Sequence, residues 1–310
     1  MLRLRWMRRV RFLLLALVAT VALAGCSAHD AEAKMRFGWP TGVTKQAERM
    51  RTLWTWSSVA ALIVGVLVWG LIFWVCVRYR KKSDELPVQL KYNLIIEWTY
   101  TIVPFFIIFG LFFFTVRTEN YVDKLSKNPD VLVEVDAFKW NWQFRYLQDH
   151  GTKLSYAASE QAPSTVGSSD EIPILVIPKG ETVQFVEHSE DVIHAFWVPE
   201  FLFKRDVIPN GQLSSSRDNR FEITATSTGS YVGRCAELCG TYHSQMNFEV
   251  RVVEPDVYTQ YVAALTKIGP DDPARQSKAL TAIGQQPYAT TTYPFDTNRQ
   301  AKSASARPAS

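Results

Sequence analysis

Cysteine is scarce in this sequence. The chain has four cysteines, Cys26, Cys76, Cys235 and Cys239, and a disulfide framework would show more of them at wider spacing. There is no internal repeat and no Cys-x-x-Cys-His pattern, so the chain has no motif for covalent attachment of haem. Cys76 lies in an apolar run and is interpreted as a buried bystander.

Acidic residues are sparse in the first part of the chain. Residues 1–116 carry 15 Lys and Arg against 6 Asp and Glu, a net charge of +9, whereas residues 117–310 carry 19 against 24, a net charge of −5. A basic, apolar front and an acidic back indicate a membrane anchor that bears an outer domain. Such a domain favours cationic partners and speeds their approach, and no nucleic-acid partner is expected.

The first 25 residues are typical of a bacterial lipoprotein signal peptide. Five arginines in the first eleven residues form a positive region, and Phe12 to Ala22 form a short apolar region. The sequence Leu23-Ala-Gly-Cys26 resembles a lipobox, in which cleavage leaves Cys26 as a lipidated N-terminus. An ordinary signal peptide with an incidental cysteine is the alternative. Lipid on Cys26 would strengthen anchoring without replacing a spanning helix.

Two charge-free apolar runs follow an extracellular lead-in at residues 26–51. The first belongs to a predicted transmembrane helix at 52–78 and has about 25 residues without charge, enough to cross a hydrocarbon core of roughly 30 Å. Basic residues dominate the loop at 79–92, so the positive-inside rule places it in the cytoplasm. A second predicted transmembrane helix at 93–117 contains Pro104, which packing against a neighbouring helix makes tolerable. The chain thereby returns to the outer side of the cell membrane.

Residues 118–255 show a different pattern, with short runs of Val, Ile, Phe and Thr broken by proline and glycine. Several strands at this spacing, without intervening helical patterns, indicate a β-sandwich or barrel. Residues 149–170 are predicted to form a long hairpin insertion. Residues 256–310 are predicted to hold one helix and then a flexible tail, because large apolar residues are few there. The predicted strands are Val131–Leu147, Ile174–Ile177, Thr182–Glu187, Phe221–Thr226, Tyr231–Arg234 and Phe248–Val253.

One loop, from Cys235 to Met246, holds four potential metal donors within twelve residues. Two thiols, the imidazole of His243 and a thioether are ligands that select copper, or zinc if the thioether is incidental. A closing ligand must come from elsewhere, and His194 lies where a strand turns into a plausible rim for the site. A closed Cys2His2 zinc site is therefore the alternative, although zinc has no use for Met246. His188 is interpreted as a surface or strand-end histidine.

Four motifs, in their order along the chain, resemble the family of cytochrome c oxidase subunit II. They are Asn93–Pro104, Trp140-Asn-Trp142, Ser189–His194 and Cys235–Met246. The resemblance covers residues 50–255 and implies a membrane-anchored all-β fold, in which a two-helix transmembrane hairpin precedes a cupredoxin-like Greek-key β-sandwich. The lipoprotein leader, the insertion and the extended tail fit actinobacterial members of the family.

The resemblance implies a dinuclear copper centre, called CuA, in this loop. Two thiolates would bridge the copper ions, each imidazole would bind one ion, and a thioether and a backbone carbonyl would be weak outer ligands. Bridging sulfurs keep the metals close enough to share one electron, and a stiff loop changes little on reduction. The implied ligands are Cys235 and Cys239 as bridges, His194 and His243, Met246, and the carbonyl of Glu237.

The family implies three further roles. The Glu237 carboxylate would bind a magnesium ion at the contact with the catalytic subunit, with a solvated loop carboxylate as the alternative. Electrons would enter at Trp140, next to Trp142, although alternation along a single strand favours both as core residues. Glu97 would stand at the mouth of a proton-uptake path, or would only be a first-turn acid that the helix dipole stabilises by roughly 0.3–1 kcal/mol.

The implied function is that of subunit II of a haem–copper terminal oxidase, the electron-transfer subunit of a cytochrome-c oxidase. Electrons from cytochrome c, or from c-type haem of a cytochrome bc complex, would pass through copper to haem in subunit I, where oxygen is reduced with proton pumping. Subunit I, subunit III and membrane lipid are the other implied partners, and no oxygen chemistry is expected in this chain. The alternatives are a copper- or zinc-binding lipoprotein for metal delivery, and a quinol-oxidase subunit II, which lacks the copper ligands.

Overall fold

The computed structural model describes residues 39–81, 83–86, 89–149, 152–153, 162–168, 171–209 and 219–291. The predicted lipoprotein leader with Cys26, much of the predicted insertion and the end of the predicted tail lie outside the described residues. Within them, two long helices come first, followed by eleven strands in two sheets and by two shorter helices.

The two long helices are apolar along most of their length. Helix α1 spans Lys45–Arg78 and helix α2 spans Leu94–Val122. Their most apolar 18-residue windows have mean hydropathies of 2.7 and 2.1, and the residues that the structure describes leave both windows unburied. At about 1.5 Å per residue, each helix is longer than a hydrocarbon core of roughly 30 Å. By length and composition, both helices can cross a membrane.

Both helices extend beyond the predicted spans. Helix α1 begins seven residues before residue 52, within the predicted lead-in, after Thr44 caps it by accepting a hydrogen bond from Ala47 N at 2.9 Å. Helix α2 continues past Arg117 to Val122. Each helix is longer than the predicted span because a charged residue ends an apolar run without ending the helix. Cys76, predicted to be buried, is exposed on α1.

Eleven strands form two sheets around one hydrophobic core. The first sheet has the order β3-β2-β1-β6-β9, with β4 also paired to β2, and the second has the order β5-β11-β10-β7-β8. The strands are β1 Val131–Phe138, β2 Asn141–Asp149, β3 Thr152–Lys153, β4 Ser164–Val166, β5 Ile174–Pro178, β6 Thr182–Ser189, β7 His194–Val198, β8 Phe203–Val207, β9 Arg220–Thr224, β10 Gly229–Cys235 and β11 Asn247–Val253. The prediction of a β-sandwich behind two apolar helices is confirmed.

The run Val131–Leu147, predicted as one strand, is a hairpin. Strands β1 and β2 pair antiparallel with Phe138 opposite Asn141, and Lys139 and Trp140 form the turn. The alternation of large apolar residues continues across this turn, so the sequence pattern does not reveal it. The turn lies at one rim of the sandwich, which is the rim that carries the metal donors.

Aromatic side chains fill the core beneath that rim. The rings of Phe196 and Phe248 stack with centroids 4.7 Å apart, and those of Phe185 and Phe221 stack at 4.8 Å. Aromatic pairs at such distances add about 0.5–1.5 kcal/mol to the effect of burial. These four phenylalanines are each less than 2% exposed, so closely packed rings support the metal rim.

The start of helix α1 is joined to the sandwich by hydrogen bonds. Val43 N donates to Glu200 O at 2.9 Å, and Gln46 Oε1 accepts from Thr224 N at 3.1 Å. Helix α2 is joined at its end by an ion pair between Asp123 and Arg205 of β8, at 2.9 Å. The β-domain is therefore held to both helices by polar contacts, besides the covalent links.

The chain after β11 packs on the β-domain as far as residue 291. Helix α3 spans Pro255–Lys267 and helix α4 spans Arg275–Ala282. The two helices bury their apolar faces against the core. Their fully buried apolar residues are Tyr258, Tyr261, Leu265, Ala279 and Leu280.

The last described residues are held by a buried ion pair. Glu249 accepts hydrogen bonds from the backbone amides of Thr290 and Thr291 at 2.6 and 2.9 Å, and Arg251 donates to the backbone carbonyl of Tyr288 at 3.2 Å. Glu249 and Arg251 also pair with each other, and we call these five residues the C-terminal clamp. The prediction of a flexible tail is wrong up to residue 291, because hydrogen bonds to buried charges order a segment that has few large apolar residues.

Candidate metal centre

Two paired strands and one loop bring the predicted metal donors together. His194 is the first residue of β7 and Cys235 is the last residue of β10. The loop from Cys235 to Met246 closes on itself, because Cys235 N donates to Met246 O at 3.1 Å. A short 3-10 turn at His243–Gln245 places the second imidazole inside this loop. All four donors predicted in the loop, and His194, lie at the same rim.

The donor atoms form a continuous set of contacts. Cys235 Sγ lies 3.9 Å from His194 Nδ1 and 3.8 Å from Cys239 Sγ. Cys239 Sγ in turn lies 3.5 Å from His243 Nδ1 and 3.8 Å from Met246 Sδ. Each imidazole therefore faces its own sulfur atom, and the two sulfur atoms face each other.

Three of the donors form one tight group. The ligand atoms of His194, Cys235 and Cys239 all lie within 4.8 Å of one another, and all three residues are buried. His243 is half-buried and lies outside that group, although it contacts Cys239. Thiolate and imidazole donors of this kind suit copper and zinc, so the group can hold a metal ion.

The same contacts change the acidity of the donors. Hydrogen bonds with Cys239 and His194 lower the pKa of the Cys235 thiol despite its burial, whereas the pKa of Cys239 is raised because its sulfur faces that of Cys235. Burial acts to lower the pKa of His194, but its hydrogen bonds to Cys235 and Asp191 raise it. The site thus favours a thiolate at Cys235, which is the form that binds metals.

A carboxylate that sequence reasoning missed supports His194. Asp191 Oδ1 lies 2.8 Å from His194 Nε2, which leaves Nδ1 directed at Cys235. Burial acts to raise the pKa of Asp191, but hydrogen bonds with His194 and with backbone amides lower it. Metal-binding histidines usually have such a partner on their second ring nitrogen. The spacing Asp-x-x-His was the available signal.

The two tryptophans of the Trp140-Asn-Trp142 motif lie in different surroundings. Trp142 is fully buried, its ring meets that of His194 edge-on at 6.2 Å, and its Nε1 donates to Met246 O at 3.3 Å. Trp140 lies in the hairpin turn, half-buried, and its Nε1 donates to Cys239 O at 3.2 Å. The expectation from alternation, that both are core residues, holds for Trp142 and is wrong for Trp140.

Residue 240 must be small for Trp140 to approach the loop. Gly240 has φ +122°, and a Cβ atom there would lie 3.1 Å from Trp140 Cζ2. The ring of Tyr242 also meets the indole edge-on, with centroids 5.0 Å apart. The turn residue Trp140 is therefore packed directly against the metal loop.

Comparison with known proteins identifies the family. The family described as "Cytochrome C oxidase subunit II, periplasmic domain" matches residues 131–253. A protein of Nocardia farcinica named "Probable cytochrome c oxidase subunit 2" is 46% identical, over 93% of this chain and 88% of its own length. This chain belongs to the cytochrome c oxidase subunit II family. The prediction of family membership, including its actinobacterial relatives, is confirmed.

A second curated relative supports the same assignment, and one solved structure shows a partial likeness. "Cytochrome c oxidase subunit 2" of Mycobacterium tuberculosis is 42% identical, over 90% of this chain and 86% of that protein. The solved periplasmic domain of subunit II of cytochrome oxidase from Bradyrhizobium japonicum is 26% identical, with a TM-score of 0.36, and covers 46% of this chain and 98% of that domain. This chain is thus a membrane-anchored subunit of an oxidoreductase complex with an outer β-domain, and neither predicted alternative is favoured.

The other residues considered in the sequence analysis, Glu237, Glu97 and His188, lie in separate places. The carbonyl oxygen of Glu237 lies 3.2 Å from Cys235 Sγ, and the residue is half-buried. Glu97 lies in the first turn of α2, where its carboxylate accepts from Asn93 N at 2.9 Å, as a capping residue does. His188 lies near the end of β6 and outside the metal group.

Proposed function

We propose that this subunit relays single electrons through a dinuclear copper centre, from a c-type haem donor outside the membrane to the haem of subunit I. The observation that carries the proposal is the pairing of donors, with sulfur atoms 3.8 Å apart and a separate imidazole nitrogen beside each. The donor is cytochrome c or a cytochrome bc complex, and the oxidase partners are subunit I, subunit III and membrane lipid.

The donor set fits two copper ions better than one zinc ion. Four tetrahedral ligands at zinc distances of about 2.0–2.3 Å would all lie within about 4 Å of one another. His243 does not share the group in which the ligand atoms of His194, Cys235 and Cys239 lie within 4.8 Å. The thioether of Met246 beside Cys239 suits copper and has no role at zinc.

The chain's own residues keep the donors in fixed positions. Cys235, Cys239, His194, His243 and Met246 would hold the copper ions, which would supply a one-electron carrier. Loop closure from Cys235 to Met246, and a bond from Ala236 N to Ala195 O at 3.1 Å, hold the loop on its strands. Trp142 closes one side of the site through its contacts with His194 and the Met246 carbonyl, so the donors have little room to move.

Trp140 is proposed as the residue at which electrons enter, with Trp142 behind it. Its indole donates a hydrogen bond to the carbonyl of Cys239, a proposed copper ligand, while the residue itself lies at the rim of the domain. An aromatic ring at the rim offers a contact surface to a donor, and its hydrogen bond leads directly to the metal loop.

Three further residues have proposed roles: Glu237 and Glu97 in the assembled oxidase, and Cys26 in the leader. Glu237 presents its backbone oxygen to Cys235, and its carboxylate is proposed to bind Mg²⁺ together with groups of subunit I. Glu97, at the basic and cytoplasmic end of α2, is proposed to start a proton-uptake path. Cys26 is proposed to be the lipidated N-terminus, on the same outer side as the copper domain.

Metal analysis of the full-length chain in detergent tests the copper proposal. After loading with copper, we expect two copper ions per chain and an electron paramagnetic resonance signal of one electron shared by two equivalent metals. Cys239→Ser and His243→Ala should lose this signal, whereas the control His188→Ala, a histidine outside the group, should keep it. A colourless protein that holds one zinc ion would contradict the proposal.

The Glu97→Gln variant tests the proton-uptake role. The amide oxygen can still accept from Asn93 N, so the cap is kept while the titrating group is lost. We expect slower oxygen consumption by the assembled oxidase and an unchanged copper signal. Glu85→Gln, an exposed position in the preceding loop, is the matched control. Unaltered turnover in Glu97→Gln would mean that Glu97 serves only to cap the helix.

A further inference from the structure

We infer that Asp191 is a positioning residue that links the ligand His194 to the Trp140 turn, so that the copper site and the residue where electrons enter form one rigid unit. This inference rests on the proposed electron-relay function and names a residue outside the predicted ligand set. The two oxygen atoms of a single carboxylate make the link. One faces the metal ligand and the other faces the turn.

The first oxygen fixes the imidazole. Asp191 Oδ1 lies 2.8 Å from His194 Nε2, whose proton it accepts, and also accepts from Val192 N at 2.6 Å. His194 has no exposed surface, so this bond holds one ring orientation with Nδ1 toward Cys235. Loss of such an outer partner typically lowers metal affinity about 10- to 100-fold.

The second oxygen fixes the turn. Asp191 Oδ2 accepts from the backbone amide of Lys139 at 2.8 Å, across 52 residues of sequence. Lys139 precedes Trp140, whose indole donates to Cys239 O at 3.2 Å. The turn is thus attached to the site at two points, through the carboxylate of Asp191 and through the carbonyl of Cys239.

The loop around Asp191 is itself held in place. The amide of Asp191 donates to Ser189 Oγ at 3.3 Å, and Glu190 N donates to Ala137 O at 2.9 Å in β1. The carboxylate therefore has little freedom to turn away from Lys139 or His194. Since electron transfer slows steeply as donor and acceptor separate, a fixed spacing between Trp140 and the metal loop has a direct effect on the rate.

Hydrogen exchange on the metal-free, full-length chain tests the link to the turn. Asp191→Ala removes the acceptor of the Lys139 amide, and a bond to a charged acceptor protects by about 10- to 100-fold. Mass spectrometry of peptides that contain Lys139 should show exchange faster by that factor. Asp191→Asn keeps the shape and one acceptor oxygen, so its increase should be smaller. This second variant also serves if Asp191→Ala does not fold.

Copper titration and the reduction potential of the same chains test the link to His194. We expect an affinity loss of about 10- to 100-fold in Asp191→Ala and a shifted potential in Asp191→Asn, where charge is lost without volume. Glu190→Gln is the control, because it removes the same charge from a neighbouring side chain that is 58% exposed. It should match the unaltered chain in every measurement.

Two outcomes would overturn the inference. The first is that the Lys139 amide exchanges at the same rate in the Asp191 variants as in Glu190→Gln. That result would show that Asp191 does not hold the turn. The second is that the Asp191 variants keep the copper affinity and the reduction potential of the unaltered chain. That result would show that Asp191 does not position His194. Failure of the unaltered chain to bind two copper ions would instead overturn the proposed function, and the exchange experiment would still decide the contact between Asp191 and Lys139.

Discussion

The metal loop leads into strand β11, and the C-terminal clamp is built on Glu249 and Arg251 within that strand, yet the buried polar groups of the two regions have different partners. In the metal loop, thiols, imidazoles and a thioether face one another across 3.5–3.9 Å. In the clamp, the buried charges of Glu249 and Arg251 are neutralised by each other and by backbone groups of residues 288–291. The donor atoms of the loop are available to a ligand, whereas the charged groups of the clamp are occupied by bonds within the chain.

This difference explains why one region could be read from the sequence and the other could not. A metal loop needs particular atoms at short spacing, so Cys-x-x-x-Cys-x-x-x-His-x-x-Met is visible without a structure. The clamp needs only a carboxylate, a guanidinium and any backbone that reaches them. Changes in the clamp should therefore affect stability and leave copper binding intact, whereas changes beneath the loop should affect both.

The largest stability effect is expected in the clamp. Glu249→Ala leaves Arg251 as a buried charge without its carboxylate, and breaking such a pair typically costs 3–5 kcal/mol. Chemical unfolding of the full-length chain in detergent should show a loss of about that size, while the copper signal of the folded protein stays unchanged. Glu254→Ala, in an exposed pair with Lys179, should cost at most about 1 kcal/mol. Equal losses in the two variants would contradict this account of the clamp.

A smaller effect is expected beneath the metal loop. A Cβ atom on Gly233 would lie 2.1 Å from the ring of Phe248, so Gly233→Ala should cost about 1–3 kcal/mol by overpacking. Because Gly233 lies two residues before Cys235 in β10, the copper signal should change as well. Gly269→Ala, where a Cβ atom meets nothing within 4 Å, is the control. A copper signal unaffected by Gly233→Ala would separate the loop from the core beneath it.

A third effect is expected as a change in the pH dependence of stability. Burial raises the pKa of Asp136 from its ordinary 3.8 to about 7, although Arg145 beside it acts to lower it. The folded chain thus holds this proton more tightly than the unfolded chain, so its contribution to stability falls as pH rises from about 4 to about 7. Below pH 4 the cost is absent, and above pH 7 it is complete.

The Asp136→Asn variant should remove this part of the pH dependence, as measured by the free energy of unfolding at several pH values. Asp271→Asn makes the same chemical change at an exposed position and should leave the pH profile unchanged. A profile in Asp136→Asn that still falls between pH 4 and 7 as in the unaltered chain would show that Asp136 is ionised throughout. Asp136 lies in β1, three residues before Lys139, so the variant also tests whether the Trp140 turn depends on its strand.

The sequence predicted the overall architecture well and the boundaries less well. Apolar runs and strand-type residues indicated two helices and a β-sandwich, because burial in lipid or in a core requires those patterns. The hairpin turn at Lys139–Trp140 was invisible, since apolar alternation passes through it without interruption. The order of residues 286–291 was also invisible, because it depends on hydrogen bonds to Glu249 and Arg251 from another part of the chain.

By itself, the sequence determined which atoms are available, namely two thiols, a thioether and an imidazole on one short loop, with His194 in a separate motif. Residue type and spacing decide this because the chemistry of a donor is local. Only the tertiary structure decided that each imidazole faces its own sulfur, that Trp140 lies against the loop, and that Asp191 reaches both His194 and Lys139. Three of these contacts, between Cys235 and His194, between Asp191 and Lys139 and between Trp140 and Cys239, join residues 41, 52 and 99 positions apart. Only the pairing of strands brings such distant residues within a few ångströms.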